Sequence, residues 1–211
     1  MKYTHIIWDF NGTILDDVTP CIEVVNALLT RRGLDTIDCD RYKKVFGFPI
    51  KSYYEAVGFD FSKEAYETLA DEWAELYRNA TVNCGLVEGV KDTLAHFSTL
   101  GLKQIILSAT ELNMLKEQLG LLGIKDFFAE TLALDNLLAV SKVELGKEWI
   151  KREKPEKALF IGDTIHDYET ARAMGADCVL ISKGHQCKER LSALGVPVLD
   201  NIAELINTIN Q

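Results

Sequence analysis

Short apolar runs alternate with longer amphipathic segments along most of the chain, beginning with a run that ends at Asp9. These runs are too short for helices and are rich in β-branched and aromatic residues, so they predict buried strands. Between them, apolar residues recur at helical spacing, as in the leucines from Leu112 to Leu122, which we expect to pack against a sheet. Strands that alternate with helices indicate a parallel sheet covered on both faces. The predicted strands comprise residues 3–8, 102–108, 130–134, 158–163 and 178–181, with a short strand in the C-terminal tail.

One long block departs from this alternation. Residues 38–80 show helical patterning throughout, with breaks at 46–49 and 58–60, and they contain no convincing strand. The sequence therefore predicts an α/β core domain formed by residues 1–15 and 85–211, and a helical cap domain formed by residues 16–84. A helical insertion directly after the first strand can exclude water from the end of that strand and select the substrate.

The composition of the chain is informative mainly because it excludes certain classes of binding partner. The chain has 211 residues and a formal net charge of −9, which disfavours nucleic acid and anionic membrane surfaces. Its five cysteines are odd in number and lack the spacing of a metal site, which is typical of free thiols in a reducing compartment. We see no signal peptide and no membrane span, so we expect a cytoplasmic protein. The oligomeric state stays open between a monomer and a homodimer.

Polar residues stand at several predicted strand ends: Asp9, Ser108, the region of Lys142, and Asp163 with Asp167. Parallel strands place their carboxyl ends at one edge of the sheet, so these groups can converge. Three carboxylates in one cleft need a compensating cation, and oxygen ligands suit Mg²⁺. A lysine and a helix N-terminus after the serine suit a phosphate. The pattern indicates phosphoryl transfer with Asp9 as nucleophile, although Asp9 could instead cap the turn that follows it.

Four segments resemble the motifs of the haloacid dehalogenase superfamily, in that family's order and approximate spacing. They are residues 9–13, residues 108–110, Lys142 and residues 162–167. The strongest likeness is to the phosphoglycolate phosphatase and β-phosphoglucomutase-like branch. The resemblance implies a Rossmann-like core with a small all-helical C1 cap. It also implies an Mg²⁺-dependent phosphatase that acts on a small phosphorylated metabolite through an aspartyl-phosphate.

The resemblance further implies a role for each matching residue. Lys142 would pair with both the nucleophile and the phosphate, and Lys147 is an alternative for that lysine. Cap residues Phe46 and Lys51 are the places where we expect contact with the substrate, although Phe46 could belong to the core of the cap. His185 could border the site or be an ordinary loop histidine. The implied metal ligands are Asp9, the Asn11 carbonyl, Asp163 and Asp167, and the implied phosphate ligands are Ser108, the Ala109 N–H and Lys142.

Asn11 departs from the family's pattern. Phosphatases of this family carry Asp–x–Asp, and the second aspartate protonates the leaving oxygen and later deprotonates the attacking water. An amide cannot give or take a proton at neutral pH. Such proton transfer is worth about 10²–10⁴-fold in rate. Three interpretations stay open. The first is an attenuated phosphatase with Asp9, Asn11 and Lys142 at its catalytic centre, or one for substrates such as acyl phosphates whose leaving group needs no proton. The second is a weak or inactive protein that binds a phosphorylated ligand in a regulatory role, and the third is a different use of the same scaffold.

Overall fold

The structure is a computed structural model and describes residues 2–135 and 141–209. Its centre is a six-stranded parallel sheet with the strand order β3-β2-β1-β4-β5-β6. The first strand therefore lies in the middle of the sheet, between β2 and β4. The strands are β1 (His5–Trp8), β2 (Lys103–Glu111), β3 (Glu130–Leu134), β4 (Ala158–Gly162), β5 (Asp177–Ile181) and β6 (Val198–Leu199).

Helices alternate with these strands, except in the block of consecutive helices between β1 and β2. Short 3-10 turns occur at Lys125–Phe127 and Ile202–Glu204. The predicted α/β architecture is thereby confirmed. The α-helices are α1 (Val18–Arg31), α2 (Cys39–Val45), α3 (Ile50–Val57), α4 (Tyr66–Thr81), α5 (Val90–Thr99), α6 (Leu112–Leu122), α7 (Val143–Glu153), α8 (Ile165–Met174), α9 (Lys188–Ser192) and α10 (Leu205–Thr208).

Apolar side chains cover both faces of the sheet. Trp8 on β1 is fully buried on one face, where Leu115 of α6 joins the same cluster. Ile7, its neighbour in the strand, is fully buried on the other face with Trp149 of α7. Successive side chains of a strand point to opposite faces, so an uninterrupted apolar run fits a strand that is covered twice.

Helices α1 to α4 lie between β1 and β2 in the chain and pack around an apolar cluster of their own. Leu28, Tyr42 and Leu69 are almost completely buried there, and Met114 of α6 joins them. The two predicted breaks fall between α2 and α3 and between α3 and α4. The division into a core and a cap domain at residues 16–84 stays a prediction.

Two features differ from the predicted elements. Strand β2 runs three residues beyond the predicted end at Ser108, and its register against β3 shifts between Leu107 and Glu111. Helix α9 was not predicted, because five residues are too few to display a helical period. Within the described ranges, the helices are all too short or too polar to cross a bilayer.

Candidate active site

The carboxyl end of β1 opens onto a buried cluster of charged side chains. Asp9 follows β1 directly, and its N–H donates to the carbonyl of Ile161 in β4 at 2.8 Å. Lys142, which precedes α7, is only 1% exposed. Its ammonium group contacts the Asp9 carboxylate and lies 2.6 Å from Oδ1 of Asp167. One buried cation is therefore held between carboxylates from two other elements.

Asp163 and Asp167 come from the turn between β4 and α8. Oδ2 of Asp167 accepts hydrogen bonds from the Asp163 N–H at 3.0 Å and the Thr164 N–H at 2.9 Å, which caps the helix. Asp163 accepts from the Thr13 hydroxyl at 3.0 Å and from the His185 N–H at 2.6 Å. Donors from three strand ends thus fix the orientation of both carboxylates.

Two glycines allow the loops to approach this closely. Gly12 has a φ of +71°, and a Cβ atom there would overlap the side chains of Asp163 and His185. At Gly184 a Cβ atom would overlap the Asp163 carboxylate. The chain turns tightly at Gly12, in a backbone conformation that favours glycine.

The donor set fits a hard divalent cation. Asp9, Asp163 and Asp167 each offer a carboxylate oxygen, and these oxygens lie within 4.8 Å of one another. Burial, followed by the nearby Asp167 charge, raises the pKa of Asp9 well above its usual range. Burial also raises the pKa of Asp163 to about 6. The single positive charge of Lys142 balances one of the three carboxylate charges. A divalent cation would balance the other two.

Hydrogen bonds hold the Asn11 side chain at both ends of its amide. The Nδ2 atom donates to Oδ2 of Asp17 at 2.9 Å and to the Tyr77 hydroxyl at 2.6 Å. The Oδ1 atom accepts from the Thr110 hydroxyl at 2.5 Å. Tyr77 in turn donates to Asp17 at 2.6 Å. The surroundings are matched to an amide, because a carboxylate at this position would face the Asp17 carboxylate.

Asp17 and His185 form a buried ion pair beside Asn11. Oδ1 of Asp17 accepts from the Gly12 N–H at 2.8 Å and lies 3.2 Å from Nε2 of His185. The other ring nitrogen of His185 lies 2.8 Å from the Tyr42 hydroxyl. Burial opposes the charged imidazolium, but the Asp17 carboxylate outweighs it and raises the pKa of His185 to about 9. The pair joins the start of α1 to the loop after β5.

The predicted phosphate ligands border the same pocket. Ser108 lies in the irregular end of β2, and its Oγ accepts from the Thr110 N–H at 3.1 Å. Ser108, Ala109 and Lys142 all line the pocket that contains Asp9. The structure therefore brings together residues that are far apart in the sequence.

The two cap residues that we expected to contact the substrate lie in different places. Phe46 lines the pocket, and its ring centroid is 4.9 Å from that of His185. Lys51 is exposed and does not line the pocket, and its Nζ lies 5.4 Å from the ring centroid of Phe61. Lys147, the alternative lysine, instead pairs with Glu144 at 2.8 Å. Neither Lys51 nor Lys147 reaches the charged cluster.

Sequence reasoning missed Asp17, Tyr77 and Thr110. The acidic pair before α1 suggests a residue of the first helical turn, but the Asp17 side chain makes no cap hydrogen bond and turns back toward Asn11 instead. The signal that could have found Asp17 is its position only six residues after Asn11, close behind the first motif. Tyr77 and Thr110 carry no such signal, because their roles depend on how α4 and β2 pack.

The parallel sheet and the acidic pocket at its carboxyl edge define an enzyme of the α/β class. A sequence model described as haloacid dehalogenase-like hydrolase matches residues 6–181. The chain therefore belongs to the haloacid dehalogenase-like hydrolases, as its motifs predicted. This membership confirms the predicted enzyme class.

Similar proteins cover almost the whole chain. The phosphoglycolate phosphatase of Synechococcus elongatus is 24% identical over 98% of this chain and 97% of its own length. The N-acetylmuramic acid 6-phosphate phosphatase of Pseudomonas putida is 23% identical over 88% of this chain and 85% of its own. A haloacid dehalogenase-like protein of unknown function from Agrobacterium tumefaciens shares the fold, with a TM-score of 0.81, 20% identity and coverage of 99% and 98%. These likenesses confirm the predicted fold and the phosphoglycolate phosphatase-like branch.

Proposed function

We propose that this protein is an Mg²⁺-dependent phosphatase of the cytoplasm that hydrolyses a small phosphate monoester through an aspartyl-phosphate on Asp9. The observation that carries the proposal is Lys142, buried between Asp9 and Asp167 beside Ser108. Similarity to phosphatases along nearly the full chain supports the reaction class. We further propose that Asn11 attenuates turnover.

The carboxylates of Asp9 and Asp163 and the Asn11 carbonyl would hold the ion, with Asp167 contributing directly or through water. When bound, the ion neutralises the carboxylates and the phosphate oxygens and increases the electrophilicity of phosphorus. The Lys142 ammonium group favours the ionised form of Asp9 and so opposes the burial and the Asp167 charge, which raise the pKa of Asp9. The Ser108 hydroxyl and the Ala109 N–H would orient the phosphate.

The first step forms a bond between an Asp9 carboxylate oxygen and phosphorus. The ester P–O bond breaks, and its electron pair leaves with the alcohol oxygen, which takes a proton from water. In the second step a water oxygen bonds to phosphorus, and the electron pair of the aspartyl P–O bond returns to Asp9. The attacking water releases its proton to solvent. Inorganic phosphate, the alcohol and the free carboxylate are the products.

Asn11 makes both proton transfers slower. Its amide can orient the leaving oxygen or the water, but it cannot exchange a proton with either. Loss of general acid–base catalysis is worth about 10²–10⁴-fold, or roughly 3–5 kcal/mol in each barrier. Substrates whose leaving group needs no proton, such as acyl phosphates, would be affected least in the first step.

A second candidate function is a regulatory protein that binds a phosphorylated ligand without useful turnover. The observation that favours it is the set of hydrogen bonds around Asn11, in which Asp17, Tyr77 and Thr110 retain an amide. A site that had merely lost its second aspartate would not need this arrangement. In this alternative, Asp9 and Lys142 would hold a phosphate or a lasting phosphoryl group.

Phosphate release from a panel of small phosphate esters and acetyl phosphate separates the two candidates. We expect slow release that requires Mg²⁺, stops with a chelator and is lost in Asp9→Asn. Asp16→Asn is the matched control, because Asp16 is exposed next to the same motif. Binding of an ester with Mg²⁺ but no release from any member of the panel would favour the regulatory candidate.

A further inference from the structure

We infer that the pocket above Asp9 takes an uncharged, ring-bearing alcohol. The substrate would then be a phosphate monoester whose organic half carries neither a carboxylate nor a second phosphate. This inference rests on the proposed function and names its substrate class. It separates this chain from an enzyme specific for phosphoglycolate, whose organic half is a two-carbon carboxylate.

Aromatic side chains of the helices α2 to α4 and their connections form the wall opposite the charged cluster. Phe46 lies 5.2 Å from Tyr53, and Tyr53 lies 5.2 Å from Tyr54, measured between ring centroids. Trp73 stacks on Tyr77 at 4.5 Å with an angle of 14° between the rings. All five line one pocket, whose water-accessible volume is about 120 Å³. Such a wall favours stacking and apolar contact.

Positive charge is missing from this wall. Among the described residues that line the pocket, the cationic groups are Lys142 and His185. Both are already paired, Lys142 with Asp9 and Asp167 and His185 with Asp17. A carboxylate on the organic half would therefore be desolvated without a partner, which is strongly unfavourable. A polyol would likewise lose hydrogen bonds to water that this wall does not replace.

The hydroxyl groups of Tyr42, Tyr53 and Tyr77 do not change the apolar character of this wall. Tyr53 is 5% exposed, and its hydroxyl has no hydrogen-bond partner among the described residues. By contrast, the Tyr42 and Tyr77 hydroxyls bond to His185 and Asp17. The Tyr53 hydroxyl is also shielded from solvent, so it presents no polar atom to a ligand in the pocket.

Equilibrium binding tests the inference separately from turnover. Calorimetry with Mg²⁺ on the full chain carrying Asp9→Asn compares phenylethyl phosphate, hydroxyphenylethyl phosphate and phosphoglycolate. We expect both ring-bearing esters to bind at least roughly tenfold more tightly than phosphoglycolate. Phosphoglycolate binding as tightly as the ring-bearing esters would overturn the inference.

Variants of the pocket residues identify which side chains are responsible for the preference for ring-bearing esters. Tyr53→Phe should leave the affinity for both ring-bearing esters unchanged, because the Tyr53 hydroxyl is shielded from the pocket. Trp73→Lys should reverse the preference in favour of phosphoglycolate. Phe59→Leu is the matched control, because Phe59 packs in the same aromatic cluster without lining the pocket. A preference that does not respond to Trp73→Lys, in a variant with an unchanged circular dichroism spectrum, would contradict the proposed wall.

Turnover by the unmodified chain then distinguishes the two proposals. Preferential binding of the ring-bearing esters with no phosphate release supports the pocket and contradicts the phosphatase proposal. Release from phosphoglycolate that is at least as fast as release from phenylethyl phosphate supports a phosphatase and contradicts the pocket. Faster release from the ring-bearing esters supports both.

Discussion

Asn11, Tyr77 and Asp17 form one hydrogen-bonded unit at the scale of single residues. The Asn11 amide donates to both partners, and the Tyr77 hydroxyl bridges them at 2.6 Å on each side. Replacing the amide by a carboxylate would place a half-buried negative charge against the buried Asp17 carboxylate, which raises a carboxyl pKa or destabilises the fold. Asn11→Asp alone is therefore a poor imitation of an ordinary phosphatase site.

Exchanging the amide of Asn11 and the carboxylate of Asp17 gives a sharper prediction. Asn11→Asp alone should lower the free energy of unfolding by about 1–3 kcal/mol. Asn11→Asp combined with Asp17→Asn keeps one amide and one carboxylate in the unit. At about pH 10, where His185 is neutral and its pair with Asp17 no longer contributes, the double variant should recover most of that loss. The double variant should also release phosphate about 10²–10⁴-fold faster than the natural chain. Urea unfolding and steady-state phosphate release measure the two effects.

Two results would contradict the predicted effect of the exchange. The first is a double variant that is no more stable than Asn11→Asp at about pH 10, which would mean that the carboxylates do not face each other. The second is a stable double variant with unchanged turnover, which would mean that proton transfer at residue 11 does not limit the reaction.

Lys142 supports a second prediction at this scale. Lys142→Met leaves the buried carboxylates of Asp9 and Asp167 without their cation, so it should cost about 3–5 kcal/mol in unfolding free energy at neutral pH. The loss should shrink as pH falls and the carboxylates are protonated. Lys147→Met is the control, with an expected change within about 0.5 kcal/mol, since Lys147 forms a surface pair. Equal losses in both variants would contradict the role of Lys142.

At the scale of elements, the site depends on loops that leave different strands. The loop after β1 supplies Asp9 and Gly12, and the turn after β4 supplies Asp163. The segment after β5 contacts the connection between α2 and α3, where Gln186 and Arg190 donate to the Phe46 carbonyl at 2.9 and 2.7 Å. These contacts hold the aromatic wall over the charged cluster.

The His185–Asp17 pair, which joins two such loops, makes stability depend on pH. The folded-state pKa of His185 is about 9, above the unfolded value of about 6.5. Its contribution is therefore fully present below about pH 6.5 and is lost as the pH rises through about 9, by on the order of 3 kcal/mol. Urea unfolding from about pH 6 to about pH 10 should show this fall, and His185→Asn should show a flatter profile. If the free energy of unfolding depends on pH in the same way in the natural chain and in His185→Asn, the assignment of this pH dependence to His185 is contradicted.

The sequence pattern predicted the helices and strands better than it predicted which side chains contact one another in the folded protein. Strand ends at Asp9 and Asp163 could be predicted, because a short apolar run that stops at a carboxylate is typical of a buried strand reaching the edge of its sheet. The irregular end of β2 and the short helix α9 could not, because a register shift and a five-residue helix leave no periodic signal. The sequence also could not show that Lys51 lies outside the pocket, because this depends on which face of α3 is turned toward the pocket.

For the whole molecule, a core and a helical insertion enclose one pocket with opposite chemistry on its two sides. The charged side was predictable, because motif order and parallel topology bring Asp9, Lys142 and Asp163 to one edge. The aromatic side was not, because Phe46, Tyr53 and Trp73 come from separate helices or loops of the insertion and meet only when it folds.

Divalent metal should stabilise the whole fold. At 100 times its dissociation constant, Mg²⁺ should add about 2.7 kcal/mol to the free energy of unfolding. Asp163→Asn should abolish the increase, and Asp16→Asn should retain it. Because the pKa of Asp163 is raised to about 6, metal affinity should fall as the pH drops through that value. Thermal unfolding with and without Mg²⁺ measures each effect, and an unchanged response in Asp163→Asn would contradict the assigned ligand set.

Mass spectrometry of the quenched protein tests most directly whether Asp9 is the nucleophile. The full chain is mixed with acetyl phosphate and Mg²⁺, quenched in acid and digested, and the peptide that contains Asp9 is sequenced. We predict one phosphoryl group on Asp9, accumulating because Asn11 slows its hydrolysis, and none in Asp9→Asn. Phosphate release with no phosphoryl group on Asp9 at any time, or the same modification in Asp9→Asn, would contradict the proposed mechanism.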